Sequence, residues 1–190
     1  MLLGGVSERM GGDKATLPVG GIPGATRVAR LLASLFEEVL LVGGSPPPDA
    51  PGRFVPDAEG PRCALRGLVS ALAAADAPRV LVAATDLPLL TADLVLALVA
   101  WPEADAVVPR SADGAHPLCA LYARDAVLPL ARASLASGRL AISHVLAAVE
   151  TAWLEGPDLA LVDPDGLALF NANRPEDLAR AETLLAAPSR

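Results

Sequence analysis

Apolar residues along the chain fall into two kinds of run, and the two kinds alternate. Short continuous runs bounded by Gly or Pro are typical of strands covered on both faces. Longer stretches with apolar positions every three or four residues predict helices. The continuous runs are Met1–Leu3, Glu38–Val42, Phe54–Val55, Arg79–Ala84, Ala106–Pro109, Leu118–Tyr122 and Leu167–Phe170. The periodic stretches are Ile22–Phe36, Leu65–Ala75, Ala92–Ala100, Asp125–Ser137, Ile142–Val149 and Pro175–Ala186.

This alternation predicts an α/β fold with a mainly parallel sheet. Thr91 is a good N-cap for the helix that follows it. We expect a single domain over residues 1–190, since no linker, internal repeat or coiled-coil heptad divides the chain. The first strand is unusually short, with only Met1–Leu3 ahead of the glycines. Either this strand is truncated, or the true start of the protein lies upstream.

Composition narrows the classes of protein that fit. Hydrophobic residues make up 53% of the chain, yet no apolar run approaches the roughly 18 residues that span a bilayer. The apolar start lacks a basic flank and ends at Gly4, so no signal peptide is expected. Cys63 and Cys119 are far apart and lack metal-ligand spacing, which fits a reducing cytoplasm. The net charge of −7 argues against a nucleic-acid surface.

The segment from Gly4 to Lys14 carries the main chemical signal. It holds two glycine pairs, Gly4-Gly5 and Gly11-Gly12, with Arg9 between them and Lys14 after them. Glycines let the backbone approach an anion closely, and successive backbone N–H groups form an anion-binding nest. Two cations next to such a nest indicate a loop that holds a phosphate chain, because an acidic protein that binds polyphosphate must concentrate its positive charge locally.

The spacing of these glycines excludes two common phosphate loops. A dinucleotide-binding fold requires Gly-x-Gly-x-x-Gly, whereas these glycines come in adjacent pairs. A P-loop requires a Ser or Thr directly after the Lys, and Ala15 follows Lys14. The remaining alternative is a glycine-rich surface turn with solvated charges.

Two carboxylates follow predicted strands, at the sheet edge where α/β folds bind ligands. Asp86 follows Arg79–Ala84, and Asp57 follows Phe54–Val55. Because Mg²⁺ prefers hard oxygen ligands and is usually bound by one or two carboxylates together with substrate phosphates, Asp86 is the predicted metal ligand. The alternative for both residues is an aspartate that simply ends a strand at a turn.

The chain resembles a known family at these segments. Leu2 to Lys14 is similar to the Leu-Ala-Gly-Gly-x-Ser-x-Arg-Met-Gly-x-Asp-Lys signature of nucleotidyltransferases, with the closest match to molybdenum cofactor guanylyltransferases. Thr85-Asp86-Leu87-Pro88 resembles that family's Cys-Asp-x-Pro stretch, whose aspartate binds magnesium and nucleotide. The resemblance implies a three-layer, mostly parallel Rossmann-like sheet with helices on both faces. It also implies a nucleotide site formed by Leu2, Leu3, Gly4, Gly5, Arg9, Lys14, Gly43, Asp57 and Asp86.

Three further segments match the family near the expected acceptor. Phe170 to Leu178 resembles the family's Asn-x-Asn-Thr-Pro-Glu-Asp-Leu, which implies acceptor contacts for Asn171 and Asn173. For Asn173 the alternative is helix capping ahead of Pro175. Arg139 occupies the family's loop arginine position and could meet the acceptor phosphate, or could be a solvated loop residue. His116 begins a segment similar to the family's His-Pro-x-x-Ala-Leu; it is a weak candidate for a general base and more often a structural residue.

The departures from the family pattern lie near the expected nucleotide. Where the family reads Gly-Pro-Leu-Ala-Gly, a gapless reading gives Cys63-Ala64-Leu65-Arg66-Gly67, and a gapped reading uses Gly60-Pro61 and then Gly67. An asparagine that some members place after the second strand is absent around Gly43-Gly44, so contacts there must come from backbone.

The resemblance implies transfer of GMP from Mg-GTP to molybdenum-molybdopterin, with release of pyrophosphate. Arg9, Lys14 and Asp86 would be the catalytic residues, and Mg²⁺ the cofactor. The alternatives are transfer of CMP or another nucleotide to a phosphorylated acceptor, and a non-catalytic nucleotide-binding paralogue. The implied partners are GTP and molybdopterin, with possible transient contact to molybdoenzymes or cofactor-delivery proteins; a nucleic-acid or membrane partner is not expected.

Overall fold

The computed structural model describes residues 1–3, 6–7, 12–13 and 18–186, and for 6–7, 12–13 and 18 it describes the backbone only. The strands are β1 (Val6–Ser7), β2 (Gly12–Asp13), β3 (Pro18–Val19), β4 (Ile22–Pro23), β5 (Leu40–Val42), β6 (Arg53–Val55), β7 (Arg79–Ala83), β8 (Ala106–Ser111), β9 (Gly114–Ala115), β10 (Cys119–Ala123) and β11 (Thr151–Glu155). The helices are α1 (Gly24–Leu35), α2 (Ala64–Ala74), α3 (Ala92–Ala100), α4 (Arg124–Ala136), α5 (Ile142–Leu146), α6 (Gly156–Val162) and α7 (Pro175–Ala186).

The strands form a central sheet in the spatial order β6, β5, residues 1–3, β7, β10, β8, β11. Strands β5 and β6 pair in parallel, Leu2 bridges in parallel to both Val42 and Ala84, and β11 pairs in parallel with β8. Strand β10 is antiparallel to both of its neighbours. The prediction of a mainly parallel sheet is therefore confirmed, with β10 as the strand that reverses direction.

Two hydrophobic clusters cover the two faces of this sheet. One contains buried residues of α1, α3 and α6, together with Met1, Leu3 and alternate residues of the strands. The other contains buried residues of α2, α4 and α5, together with Leu2 and the intervening strand residues. Successive side chains of a strand point to opposite faces, so the continuous apolar runs supply both clusters. The expected three-layer arrangement is confirmed.

The short segment Met1–Leu3 lies in the middle of the sheet. The backbone N–H of Leu2 donates to the Ala83 carbonyl at 2.8 Å, and that of Leu3 donates to the Val42 carbonyl at 2.8 Å. The Met1 ammonium donates to the Leu40 carbonyl at 2.7 Å, and burial lowers the pKa of this group to about 5. Three residues are therefore enough to join β5 to β7.

One prediction near the C-terminus is wrong, and one stretch without a predicted element forms regular structure. Leu167–Phe170 is not a strand, because the buried Asp163 carboxylate accepts the backbone N–H groups of Leu167 and Ala168 and folds the segment into turns. The stretch after Val149, for which the apolar pattern predicts no element, contains strand β11 and helix α6. Thr151 and Glu155 give this edge strand polar ends, which weakens the apolar signal.

The other elements agree with the predictions to within a few residues. Helix α1 begins at Gly24 because residues 18–23 form a hairpin, and α5 ends at Leu146. Helices α3 and α7 have the predicted bounds, and the Thr91 hydroxyl accepts the Leu94 N–H at 3.4 Å as a cap. In the part of the chain that the structure describes, no helix combines the length and apolar character needed to cross a bilayer.

The two cysteines both carry free thiols but differ in burial. Cys119 is 1% exposed, and burial raises the pKa of its thiol to about 12. Because the thiolate is the reactive species, we expect N-ethylmaleimide at pH 7.5 to modify Cys63 and to leave Cys119 unmodified in the native protein. Intact-mass measurement should show one addition natively and two in guanidinium chloride; two native additions would contradict the packing around β10.

Candidate active site

The carboxyl ends of the parallel strands bring most of the predicted site residues to one edge of the sheet. Gly43 follows β5, Asp57 follows β6 and Asp86 follows β7, while Leu2 and Leu3 lie between β5 and β7. This is the edge at which open α/β sheets bind ligands. The predicted nucleotide residues that the structure describes therefore lie at one edge of the sheet.

Gly43 and Asp57 are in direct contact. Gly43 has φ of +69°, and a Cβ built on it would lie 2.8 Å from each oxygen of the Asp57 carboxylate. The next residue, Gly44, has φ of +51°, and its Cβ would lie 2.9 Å from the Leu3 carbonyl oxygen. Glycine is required at both positions, because a side chain would clash and the backbone is left-handed. These glycines let Leu3, β5 and Asp57 pack without intervening side chains.

We expect Gly43→Ala to weaken nucleotide binding by about tenfold and to lower the free energy of unfolding by about 2 kcal/mol, because it adds a clash with Asp57 to a strained backbone. Gly166→Ala is the matched control: Gly166 has φ of +65°, and a Cβ there would meet nothing within 4 Å. The control should lose about 1 kcal/mol of stability through strain alone and bind nucleotide normally. Calorimetry and chemical denaturation would measure both quantities, and equal affinities for the two variants would contradict the contact.

Asp57 also has a cationic partner that the sequence did not single out as a site residue. The Arg66 Nη2 lies 2.7 Å from Asp57 Oδ2, and the Arg66 and Asp57 side chains are 17% and 25% exposed. Arg66 is in the first turn of α2, within the segment that departs from the family pattern. That departure was the available signal, and it indicated an altered loop rather than a partner for Asp57.

Asp86 lies in the turn after β7 and is partly buried. Its backbone carbonyl accepts the N–H of Ala172 at 2.8 Å, which attaches the C-terminal segment to the turn. A small pocket is lined here by Gly24, Thr85, Asp86, Pro88, Ala172 and Leu178. Among residues 1–3 and 19–186, no cluster of three or more His, Cys, Asp or Glu side chains could hold a metal ion. A cation at Asp86 would thus need ligands from elsewhere, such as phosphate oxygens and water.

The C-terminal segment places Asn171 and Asn173 on either side of Ala172, and both asparagines are exposed. The Asn171 amide donates to the Leu169 carbonyl at 3.4 Å. The backbone N–H groups of Asn173 and Arg174 donate to Asp177 Oδ2 at 2.9 and 2.8 Å. The Asp177 carboxylate, in the first turn of α7, therefore fixes the backbone that enters the helix, as the N3 side chain of a capping box does, and both asparagines lie next to the Asp86 turn.

His116 and Arg139 have mainly structural contacts. His116 Nε2 is 2.8 Å from Ser111 Oγ, and burial lowers the pKa of its imidazole, although the carboxylates of Asp113, Asp163 and Asp86 oppose this shift. Arg139 is exposed in the turn between α4 and α5, where its Nε donates to Ser137 Oγ at 3.2 Å and its backbone bonds to Ser134. These contacts are local to the turn and do not connect Arg139 to Asp86.

The predicted phosphate-loop residues Gly4, Gly5, Arg9 and Lys14 lie outside the described residues. Between them the backbone of β1 pairs antiparallel with that of β2, with Val6 opposite Asp13 and Ser7 opposite Gly12. The loop thus contains a short two-stranded ladder directly after the central segment Met1–Leu3. Its predicted role in phosphate binding stays a prediction.

Comparison with known proteins identifies the family of this chain. The model of the MobA-like NTP transferase domain matches residues 1–152. A probable molybdenum cofactor guanylyltransferase of Chloroflexus aggregans is 35% identical over 97% of this chain and 93% of its own length. A molybdenum cofactor guanylyltransferase of Cereibacter sphaeroides is 36% identical over 97% of this chain and 95% of its own length.

Solved structures agree on the fold. Molybdopterin-guanine dinucleotide biosynthesis protein A from Archaeoglobus fulgidus superposes with a TM-score of 0.80 at 24% identity, covering 97% of this chain and 96% of its own. A 2-C-methyl-D-erythritol 4-phosphate cytidylyltransferase from Thermus thermophilus superposes with a TM-score of 0.71 at 21% identity, covering 92% and 94%. With the family model matching most of the chain and the curated relatives matching nearly all of it, this protein belongs to the MobA-like NTP transferase family.

Proposed function

We propose that the protein transfers GMP from Mg-GTP to the phosphate of molybdenum-molybdopterin, releasing pyrophosphate. The observation that carries this proposal is the meeting of Leu3, Gly43, Asp57 and Asp86 at one sheet edge, in a chain 35% and 36% identical to molybdenum cofactor guanylyltransferases over nearly its full length. In the proposed site the donor nucleoside lies over Leu2, Leu3, Gly43 and Asp57. The acceptor lies on the side of Asp86, Asn171 and Asn173.

The ligand atoms that Asp86 offers fit magnesium. The residue offers a carboxylate at a strand end, and the described residues around it supply no His or Cys cluster. A carboxylate oxygen is a hard ligand, and it would suit Mg²⁺ completed by phosphate oxygens and water. When bound, Mg²⁺ would neutralise phosphate charge and increase the electrophilicity of the α-phosphorus.

The protein's own part in this reaction is mainly positioning and electrostatics. Gly4 and Gly5 would present backbone N–H groups to the triphosphate, and Arg9 and Lys14 would stabilise the charge that develops on the departing pyrophosphate. Asn171 and Asn173 would orient the acceptor, since an amide both donates and accepts hydrogen bonds. Arg139 would meet the acceptor phosphate only if the α4–α5 turn approaches Asp86. The acceptor phosphate is an anion at neutral pH, so the step needs no strong base.

One assay tests the proposal against its alternatives. Purified protein is incubated with Mg²⁺, molybdopterin and each of the four NTPs in turn, and pyrophosphate is measured. GTP-dependent release supports the proposal, whereas release with CTP alone would assign a cytidylyltransferase. Thermal stabilisation by nucleotide without turnover would indicate the non-catalytic paralogue. We place the reaction in the cytoplasm, where GTP is available, with transient contact to cofactor-delivery proteins or molybdoenzymes.

A further inference from the structure

Arg66, in the first turn of α2, forms hydrogen bonds with two residues of the loop that leads from β6 to α2. Its Nη2 is 2.7 Å from Asp57 Oδ2, and its Nη1 donates to the Gly60 carbonyl at 3.1 Å. The planar guanidinium presents its N–H groups in a fixed fork, so these two bonds together fix the direction of the side chain. An exposed arginine with one hydrogen bond would be free to sample other rotamers. The two hydrogen bonds of Arg66 restrict its side chain to one direction.

The same loop is attached to α2 by a serine. The Ser70 hydroxyl accepts the backbone N–H of Ala58 at 2.8 Å and donates to the Arg66 carbonyl at 2.9 Å. Ser70 is 4% exposed. The residue after Asp57 is therefore tied to the helix that carries Arg66, and the carboxylate and the guanidinium keep a fixed relation to each other.

Asp57 and the helix turn that carries Arg66 lie against the edge of the sheet where the donor nucleotide is proposed to bind. Asp57 packs on Gly43, as described above, and a Cβ on Gly67 would lie 3.2 Å from Leu2 Cδ1. Arg66 thus belongs to the helix turn that packs on Leu2. Its Asp57 partner lies against the end of β5, and both flank the place where the proposed donor nucleoside binds.

Arg66 also leaves part of the Asp57 carboxylate for a ligand. Among the described residues, Arg66 donates to Oδ2 of this carboxylate, and the side chain is 25% exposed. A carboxylate oxygen is an acceptor only. Oδ1 is therefore able to accept an O–H or N–H of a nucleoside, provided that the carboxylate does not rotate away.

We infer that Arg66 is a positioning residue of the donor site, which holds Asp57 so that its second oxygen accepts a hydrogen bond from the nucleoside part of the nucleotide. This inference rests on the proposed function for the identity of the ligand as a nucleoside triphosphate. It assigns Arg66 to the nucleoside and not to the phosphates, which distinguishes it from Arg9 and Lys14. It also gives the altered segment Cys63–Gly67 a role.

The test compares two ligands that differ only in the nucleoside. Calorimetry measures the Kd of GTP and of inorganic tripolyphosphate for the wild-type protein and for Arg66→Met. We expect about a tenfold weaker GTP affinity, as for loss of one charge-assisted contact, with the tripolyphosphate affinity unchanged within twofold. Arg53→Met is the matched control, because Arg53 forms an ion pair with Glu38 at 2.8 Å on the exposed surface; it should leave both affinities unchanged.

A double-mutant cycle tests whether Arg66 acts through Asp57. In an Asp57→Asn background, Arg66→Met should weaken GTP binding by less than a further twofold. Arg66→Lys keeps the charge but cannot bond to Asp57 and Gly60 together, so an intermediate GTP affinity is expected. It also provides a second variant if Arg66→Met folds poorly.

Two results would overturn the inference. One is an equal loss of tripolyphosphate affinity in Arg66→Met, which would make Arg66 a phosphate ligand. The other is additive effects in the double-mutant cycle. If the wild-type protein binds another NTP in place of GTP, the same comparison is made with that nucleotide; the proposal of GTP as donor then fails, while the role of Arg66 is still decided.

Discussion

Replacing Asp86 with Asn should reduce GMP transfer by about 10²- to 10³-fold, because the amide removes the charge that would hold magnesium against the triphosphate. The substitution preserves volume, and the bond from the Ala172 N–H to residue 86 is made by a backbone carbonyl, so the fold should be retained. Steady-state pyrophosphate release at increasing Mg²⁺ concentrations measures the effect. We expect a higher half-saturating Mg²⁺ concentration together with a lower kcat.

Asp93→Asn provides the control for this change. Asp93 is an exposed carboxylate in the first turn of α3, a few residues further along the chain. Its removal alters only a favourable interaction with the helix terminus, worth a few tenths of a kcal/mol, so activity should be unchanged. A wild-type kcat for Asp86→Asn at saturating Mg²⁺ would show that Asp86 is a turn residue and not a metal ligand.

Replacing Lys14 with Ala should lower kcat/KM for GTP by about 10³-fold, since the ammonium is predicted to stabilise charge on the leaving pyrophosphate. Lys14→Arg keeps the charge with a different geometry and should retain part of the activity. Pyrophosphate release with GTP measures both variants. Full activity of Lys14→Ala would reject the predicted phosphate loop.

The composition of the chain allows a second test of Lys14 that needs no mutation. Lys14 is the single lysine of the sequence, and the Met1 amino group is buried in the sheet and bonded to the Leu40 carbonyl. Pyridoxal phosphate followed by borohydride should therefore modify Lys14 selectively. Peptide mapping should show that saturating GTP slows this modification. An unchanged rate with GTP bound would place Lys14 away from the triphosphate.

Elements with strong local signals could be predicted from the sequence. Helix α3 begins where Thr91 caps it, and β7 has the continuous apolar run of a doubly covered strand. The reversal of β10 could not be predicted, because pairing direction depends on which strands become neighbours and not on local pattern. The turn at Leu167–Phe170 has the continuous apolar run of a strand, but the carboxylate of Asp163, which lies just before it in the chain, determines its backbone conformation.

The residues of the candidate site likewise differ in whether the sequence alone identifies them. Asp57 and Asp86 could be identified because each follows a predicted strand, and the rule that ligands bind at carboxyl ends then places both on one edge. The partner of Asp57 could not be identified from the sequence. The chain has many arginines, and residue type alone does not distinguish Arg66 from the others. Its position 2.7 Å from the carboxylate is a consequence of packing.

The position of Met1–Leu3 in the middle of the sheet has a consequence for stability and for ligand binding. Among the described residues, Leu2 and Leu3 join the β5–β6 pair to the rest of the sheet, and the predicted phosphate loop follows them in the sequence. A nucleotide that binds this loop in the native state stabilises the protein by RT ln(1 + [L]/Kd). Local opening of this joint would also release the ligand. Saturating nucleotide should therefore slow hydrogen exchange at Leu2, Leu3 and Val42, which couples occupancy of the active site to the integrity of the sheet.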